Sequence, residues 1–274
     1  MLQDILVHIP VEGPVKPVVD CSVSLALSFK ANLTAVAFDY QFSDAAVALE
    51  GSVAAVAVQT RTGMEQAGIA LDKVATVVKS SGIAYSVRKI DVSGSASDTL
   101  ARVSRCYDLT IIRQRDTANP GYDDKLAESL LMSSGRPILL VPYIFSGPLE
   151  LNRVMICWDG GSAASRAVHD AMPFLRAAKS LRIVSLNEKN PDSSEASSQA
   201  LSDHLARHKL TADIDRFEVS PSKIQTTILS IAADYGADLL VMGGYGHSRT
   251  RELLLGGVTR ETFESLTVPA LMSH

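Results

Sequence analysis

Basic residues are in no excess in this 274-residue chain: 26 Lys and Arg stand against 30 Asp and Glu, a formal net charge of −4. A nucleic-acid-binding surface normally declares itself as a basic domain or stripe, so that class of partner is excluded. Cysteine is scarce as well, and Cys21, Cys106 and Cys157 lie far apart without a C-x-x-C. Neither a disulfide framework nor a zinc ribbon follows from so few, and the odd number fits a reducing compartment. The opening MLQDILVHIP has no basic stretch ahead of an apolar one and no small-residue cleavage site, so no secretory signal is expected. Long apolar runs are also missing. The most apolar tract, Ala45 to Val58, contains Glu50 and Gly51 and is followed by Gln59 and Arg61. It falls short of the ~20 apolar residues that cross a bilayer, so the expectation is a cytoplasmic chain with no membrane partner.

What the sequence does contain is alternation. Short runs rich in β-branched residues recur between longer segments of helical period. Asp4–Pro10, Leu33–Phe38, Tyr85–Val92, Asp108–Ile112 and Pro137–Val141 read as strands in the first half. Arg153–Trp158, Leu181–Leu186, Asp213–Val219, Asp238–Met242 and Pro269–Met272 repeat the order in the second. Continuous apolar runs such as ILLV suit strands covered on both faces, the mark of a parallel sheet. Helices are expected near Val15–Ala31, Val53–Ser81, Ala96–Tyr107 and Asp123–Ser133, then Ala163–Ala177, Ser194–His208, Lys223–Tyr235 and Ser248–Leu266. Ser97-Asp98 reads as the start of the third, and Ser80-Ser81-Gly82 as the stop of the second.

Five βα-type units twice over, each with a fourth strand opening Asp-Leu, is an internal duplication. Pro10 aligns with Asp159 and Asp108 with Asp238, offsets of 149 and 130, so the first half carries 19 more residues between those points. Most fall in Asp39–Arg61. Right-handed crossovers then give an α/β chain of two tandem, doubly wound, five-stranded parallel-sheet domains. The expected boundaries are residues 1–146 and 153–274, joined by 147–152, where Gly147-Pro148 can continue neither helix nor strand.

In such sheets ligands bind beyond the carboxyl ends of the strands, at the switch in strand order. After the fourth strand of the second half comes Met242-Gly243-Gly244-Tyr245-Gly246-His247-Ser248, with Gly256-Gly257-Val258-Thr259 further on. Glycines here allow close backbone approach and place N–H groups at a helix start, where the macrodipole favours an anion. No Gly-Lys-Ser/Thr follows, so this is not a P-loop. Nor is it the dinucleotide fingerprint, which belongs after a first strand.

Gly243-x2-Gly246-x9-Gly256, preceded by DLLVMG and followed by VPALM, resembles the nucleotide-binding signature of the universal stress protein (UspA) family. RVMICWDGG, ADYGADLLVMGGYG and ELLLGGVT stand in the family's order, and the tandem layout resembles its two-domain subclass. The resemblance implies a Rossmann-like fold of the adenine nucleotide alpha hydrolase type, and ATP, with or without Mg2+, bound in the second half as a regulatory ligand in stress response. It further implies that Asp159 accepts a hydrogen bond from the adenine or ribose side, Leu186 lies against the base and Met242 lines the floor. Gly243, Gly246 and Gly256 would meet the phosphates, with Thr259 offering a hydroxyl and Val258 its backbone. The family pattern places Ser or Thr directly after the third glycine. This chain has Gly257 instead, which removes one hydroxyl contact of ~1–3 kcal/mol, roughly one to two decades of affinity. The resemblance also implies that fifth strands pair, here Pro137–Pro142 with Val268–Met272 as an intra-chain pseudo-dimer, and leaves room for a homodimer.

The first half departs from this pattern. It has Arg113-Gln114-Arg115-Asp116 in place of the glycines and Pro10 in place of Asp159. ATP is not expected there, and Arg113 and Arg115 either hold another anion or pair with Asp116, Asp123 or Asp124 and fill the cleft. Asp159 itself reads equally as ligand or helix cap. His247, Arg249 and Arg251 read as exposed residues at a helix start, His204 and His208 as a solvated face, and Cys157 as a small buried residue. Ser162 and Ser165 match a pyrophosphatase-type loop poorly. No nucleophile is paired with a base and no metal ligands are evident, so a binding module with at most slow, incidental ATP hydrolysis is expected. The alternative is a dimerising scaffold, or a receptor for another small ligand, carrying a vestigial nucleotide site.

Overall fold

The apolar runs form strands wherever the reading placed them. The computed structural model describes residues 2–40, 53–92, 94–119, 123, 125–188, 195–244 and 265–274, with the side chains of 53–65 excepted. Two units emerge, one comprising Met1–Arg136 with Ser146–Pro148 and the other Pro137–Phe145 with Leu149–His274.

The first unit runs β1 (Asp4–His8), α1 (Lys16–Phe29), β2 (Asn32–Tyr40), α2 (Val53–Ser81), β3 (Tyr85–Val92), α3 (Ala96–Ser104), β4 (Leu109–Arg113) and α4 (Leu126–Ser133). Its strands are parallel in the order β3-β2-β1-β4. Ile5, Leu6, Val7 and Ile111 are fully buried, as continuous apolar runs in a sheet covered on both faces require. The second unit begins with β5 (Ile138–Val141) and continues with β6 (Arg153–Trp158), α5 (Ser162–Asp170), α6 (Met172–Ala177), β7 (Ser180–Leu186) and α7 (Ser198–Arg207). It ends with β8 (Ala212–Phe217), α8 (Ile224–Tyr235), β9 (Leu239–Gly243) and β10 (Ala270–Ser273). Five strands are parallel in the order β8-β7-β6-β9-β10. To the expected five is added β5, antiparallel to β10 with Leu140 opposite Ala270 and Ile138 opposite Met272. The segments named as fifth strands therefore do pair.

Of the boundaries that differ from the sequence reading, three have a clear local reason. The expected helix Ala163–Ala177 is broken at Ala171, because Pro173 carries no N–H and suits the first turn of a new helix. Helix α3 starts earlier than Ser97-Asp98, since Ser95 is the cap and its hydroxyl accepts the Asp98 N–H at 3.1 Å. Helix α7 starts later than Ser194, at Ser198, with the Ser197 hydroxyl accepting the Ala200 N–H at 3.1 Å. The extra residues after β2 and most of the helix expected over Ser248–Leu266 lie outside the described residues.

The repeated Asp-Leu has a structural cause. Asp238 sits one residue before β9, and its Oδ2 accepts the backbone N–H groups of Asn152 at 2.9 Å and Arg153 at 2.7 Å. Asp108, one residue before β4, does the same for Gln3 at 2.7 Å and Asp4 at 3.1 Å. A charged acceptor before the fourth strand thus fixes the entry of the first strand beside it.

At the carboxyl ends of β1 and β2 the first unit is filled with its own side chains. His8 is 1% exposed, and its ring packs on Phe38 at 5.2 Å between centroids. The Tyr40 hydroxyl donates to Asp123 Oδ1, which lies 3.8 Å from His8 Nε2. Burial holds His8 below its ordinary value of 6.5; Asp123 opposes that shift, and Arg113 adds to it.

Two predictions follow from these contacts. Asp238→Ala removes a carboxylate that serves two backbone donors and lowers the stability of the second unit by about 2–4 kcal/mol, read as a shift in denaturation midpoint. For His8 the folded-state value lies below the unfolded one, so the unfolded chain binds the proton more readily. Stability is whole above the unfolded value of about 6.5 and declines as the pH falls from there toward the folded value. The denaturation midpoint should drop between pH 7.5 and 5.5 in the natural protein and drop less in His8→Leu. Equal slopes in the two would show that His8 is not the titrating group.

Candidate functional site

The switch in strand order of the second unit lies between β6 and β9, and the residues that follow these strands meet at one place. β6 ends at Trp158, whose Nε1 donates to the Ala196 carbonyl at 2.9 Å and whose own carbonyl accepts the Ser185 hydroxyl at 2.9 Å. The chain then turns through Asp159 and Gly160. Gly160 has φ +73°, and a Cβ there would stand 2.9 Å from the Ala196 carbonyl oxygen, so only glycine suits this turn. Asp159 Oδ1 accepts the Gly161 N–H at 2.8 Å, an interaction that closes the turn just ahead of α5. Asp159 is exposed, so it holds the turn and faces solvent at once.

Gly243, the last residue of β9, lies beneath α5. A Cβ on it would fall 2.5 Å from the Ala164 nitrogen, 2.7 Å from the Ala163 carbonyl carbon and 2.9 Å from the Ala163 Cβ. The bare backbone at Gly243 therefore lets the first turn of α5 rest on the end of β9. Gly161 is the cap residue and supplies no side chain, so the first amides of α5 receive no side-chain cap. Met242 is buried beneath this point, and Leu186 is half-buried at the end of β7. The Gly244 N–H is committed to the Ser273 carbonyl at 2.8 Å, and the Gly244 carbonyl contacts His274 Nδ1 at 2.9 Å.

The structure thus brings together Asp159, Gly243 and the start of α5, with Leu186 and Met242 on the same carboxyl edge of the sheet. Gly246, Gly256, Gly257, Val258 and Thr259 lie outside the described residues, as do His247, Ser248, Arg249 and Arg251. Cys157 is inert as a nucleophile: burial, with Asp159 adding to it, pushes its thiol up to about 12. His204 and His208 approach to 4.8 Å between ring centroids, but no three potential metal ligands cluster among the described residues. Arg113, offered as a partner for nearby aspartates or an anion, donates through Nη1 to the carbonyls of Glu12 at 2.9 Å and Pro14 at 3.1 Å.

One polar network escaped the sequence reading. Glu188, two residues beyond β7, accepts the Ser198 N–H at 2.5 Å, the Ser198 hydroxyl at 2.7 Å and the Arg216 Nε at 3.1 Å. Burial works against its charge, yet the bonds from Ser198 and Arg216 outweigh it and hold the carboxyl below the usual range. It pins the start of α7 beside the mouth of the crevice. Ser197-Ser198 signals a helix start, but nothing local in the sequence links it to Glu188 ten residues earlier.

Comparison with known proteins agrees with this geometry. Residues 150–274 match the model of the universal stress protein family. A universal stress protein of Synechocystis sp. is 25% identical over 214 residues, covering 76% of this chain and 71% of that protein. Among solved structures, a universal stress protein from Archaeoglobus fulgidus is similar with a TM-score of 0.72 and 17% identity, covering 98% of this chain and 97% of its own. A Pseudomonas aeruginosa protein provisionally placed in the same family gives a TM-score of 0.62 and 16% identity, covering 99% of this chain and 93% of its own. These likenesses extend the α/β fold over both units. Over residues 150–274 this chain is similar to the universal stress protein family.

Proposed function

We propose that the second unit binds an adenine nucleotide, ATP, at the crevice between β6 and β9, and that occupancy of this site regulates a cytoplasmic stress-response protein rather than feeding a catalytic cycle. The observation that carries the reading is the seat of α5 on Gly243. A helix start without a side-chain cap, set at the switch point of a parallel sheet, is a place where backbone amides and the macrodipole favour a polyanion. The family match over residues 150–274 supports the same assignment.

In this reading the base lies against Leu186, Asp159 accepts from its adenine or ribose side, and Met242 forms the floor. Gly243, Gly246 and Gly256 leave clearance for the phosphates, the amides of Gly257 and Val258 donate to them, and the Thr259 hydroxyl meets the terminal one. Mg2+ would accompany the phosphates. We assign no catalytic residue. We also read the chain as a tandem pair, residues 1–146 and 153–274 with 147–152 between them.

Gly257, in place of the family's Ser or Thr, favours a second reading in which the site is vestigial and the chain is a scaffold. Mass spectrometry of the natively purified protein separates the two: a bound adenine nucleotide supports the first, and a ligand-free mass that stays so at millimolar ATP supports the second.

Two substitutions test the roles. Asp159→Asn keeps an acceptor for the Gly161 N–H but removes the charge, and should weaken ATP binding about tenfold, a loss of ~1.4 kcal/mol. Thr259→Ala should weaken ATP by a similar factor while leaving AMP unchanged, because only ATP reaches that hydroxyl. Calorimetric titration measures both, and equal loss for AMP and ATP in Thr259→Ala would misplace the terminal phosphate.

A further inference from the structure

The two units place different residues at the end of the fourth strand, and the segment facing that position differs with them. Pairing of β1 with β4 and of β6 with β9 makes Arg113 the counterpart of Gly243. In the second unit the bare Gly243 carries the first turn of α5. In the first unit the Arg113 side chain stands in that place, and α1 begins at Lys16, three positions further along than α5 begins at Ser162. Arg113 Nη1 donates to the Glu12 and Pro14 carbonyls, and a Cβ on Gly13, φ +75°, would fall 2.6 Å from that nitrogen.

The rest of the segment is changed in the same sense. Pro10 and Pro14 in the β1–α1 connection and Pro17 in the first turn of α1 contribute no N–H, which removes three donors that an anion could use there. Glu12 adds a negative charge there, and Asp123 adds another at the ends of β1 and β2. The Glu12 and Pro14 carbonyls are turned toward this position in the first unit, where the first turn of α5 stands in the second. The cation that suits such a lining is already present, tethered as the Arg113 guanidinium.

We propose that the residue ending the fourth strand decides what each switch point accepts: Gly243 admits an anion to the second unit, and Arg113 is a built-in guanidinium ligand that closes the first. The chain therefore takes up one nucleotide and not two. The count rests on the nucleotide reading above; the closure by Arg113 does not.

Two measurements on the full chain test the proposal separately. Equilibrium dialysis with labelled ATP should saturate at one per chain, and saturation at two would overturn it. Hydrogen exchange, followed by mass spectrometry, should show peptides spanning residues 11–19 exchanging about tenfold faster in Arg113→Ala than in the natural protein. Guanidinium ion at low millimolar concentration, far below denaturing levels, should restore their protection, whereas the same concentration of sodium should not. Restoration by guanidinium alone is what a guanidinium site predicts and a merely structural arginine does not. Unchanged exchange, or acceleration that guanidinium fails to reverse, would overturn the closure. Should Arg113→Ala prove unstable, Arg113→Ser carries the same test, since it too leaves the Glu12 and Pro14 carbonyls without the Nη1 donor. If the natural protein binds no ATP at all, the nucleotide reading fails while the exchange experiment still decides the role of Arg113.

Discussion

A helix can rest on the end of a strand only where the strand leaves room for it, and in the second unit that room is the missing side chain of Gly243. The clearance is tight: the three atoms nearest to a Cβ there are the Ala164 nitrogen and the Ala163 carbonyl carbon and Cβ, and none of them can rotate away. From this contact follows the position of the first amides of α5 relative to Asp159 and the end of β6. The crevice owes its shape to a backbone-to-backbone approach, and its chemistry to the amides that the approach exposes. A site of this kind recognises charge through N–H groups and a macrodipole rather than through Lys or Arg. On the proposed reading, this is how a chain of net charge −4 would hold a polyanion.

The same architecture carries the opposite polarity in the first unit, and the comparison separates what the fold requires from what the ligand requires. Asp108 and Asp238 occupy equivalent positions and make equivalent pairs of bonds, so the duplicated Asp-Leu serves the sheet. Gly243 and Arg113 occupy equivalent positions and do different things, so this position serves the site. The trio of buried His8 and half-buried Tyr40 and Asp123 belongs with Arg113 in this respect, for it fills the strand ends with interactions the unit makes to itself. An interior so furnished costs acid tolerance, because a buried neutral imidazole must either stay unprotonated or disrupt its surroundings.

Most of the fold was legible in the sequence because continuous apolar runs report a sheet covered on both faces, and these runs are local. Strands came through best, and helix termini less well. Pro173 inside an otherwise regular apolar pattern broke a helix that periodicity alone extends, and Ser95 rather than Ser97 proved to be the cap because either serine satisfies the local rule. The site was legible where its residues follow strand ends in order, as Asp159, Leu186, Met242 and Gly243 do. Glu188 was not legible: its partners Ser198 and Arg216 come from two other elements, and only the parallel pairing of β7 with β8 brings them together. The role of Arg113 was hidden for a related reason. A guanidinium beside several aspartates suggests ion pairs, and its charge does act on Asp116; its hydrogen bonds to the Glu12 and Pro14 carbonyls are added to this, and no sequence pattern reports their direction.

The position of α5 is over-determined, and this bears on how occupancy is signalled. Besides resting on Gly243, α5 is tied to the end of β10, where Ser273 Oγ donates to Asp170 at 2.8 Å and Arg166 Nη1 donates to the His274 carbonyl at 2.9 Å. The neighbouring strand end is tied in turn by Gly244, whose N–H meets Ser273, the last residue of β10, and whose carbonyl meets His274 just after it. A helix held at both its first and its last turn is a poor moving part, since displacing it breaks several bonds together. The amides at its start are therefore preorganised for a ligand rather than assembled by it, and little binding free energy goes into shaping that wall. Whatever distinguishes the occupied from the empty state must then be drawn from elements less firmly anchored than α5, and a response to nucleotide would be sought away from the helix that receives it.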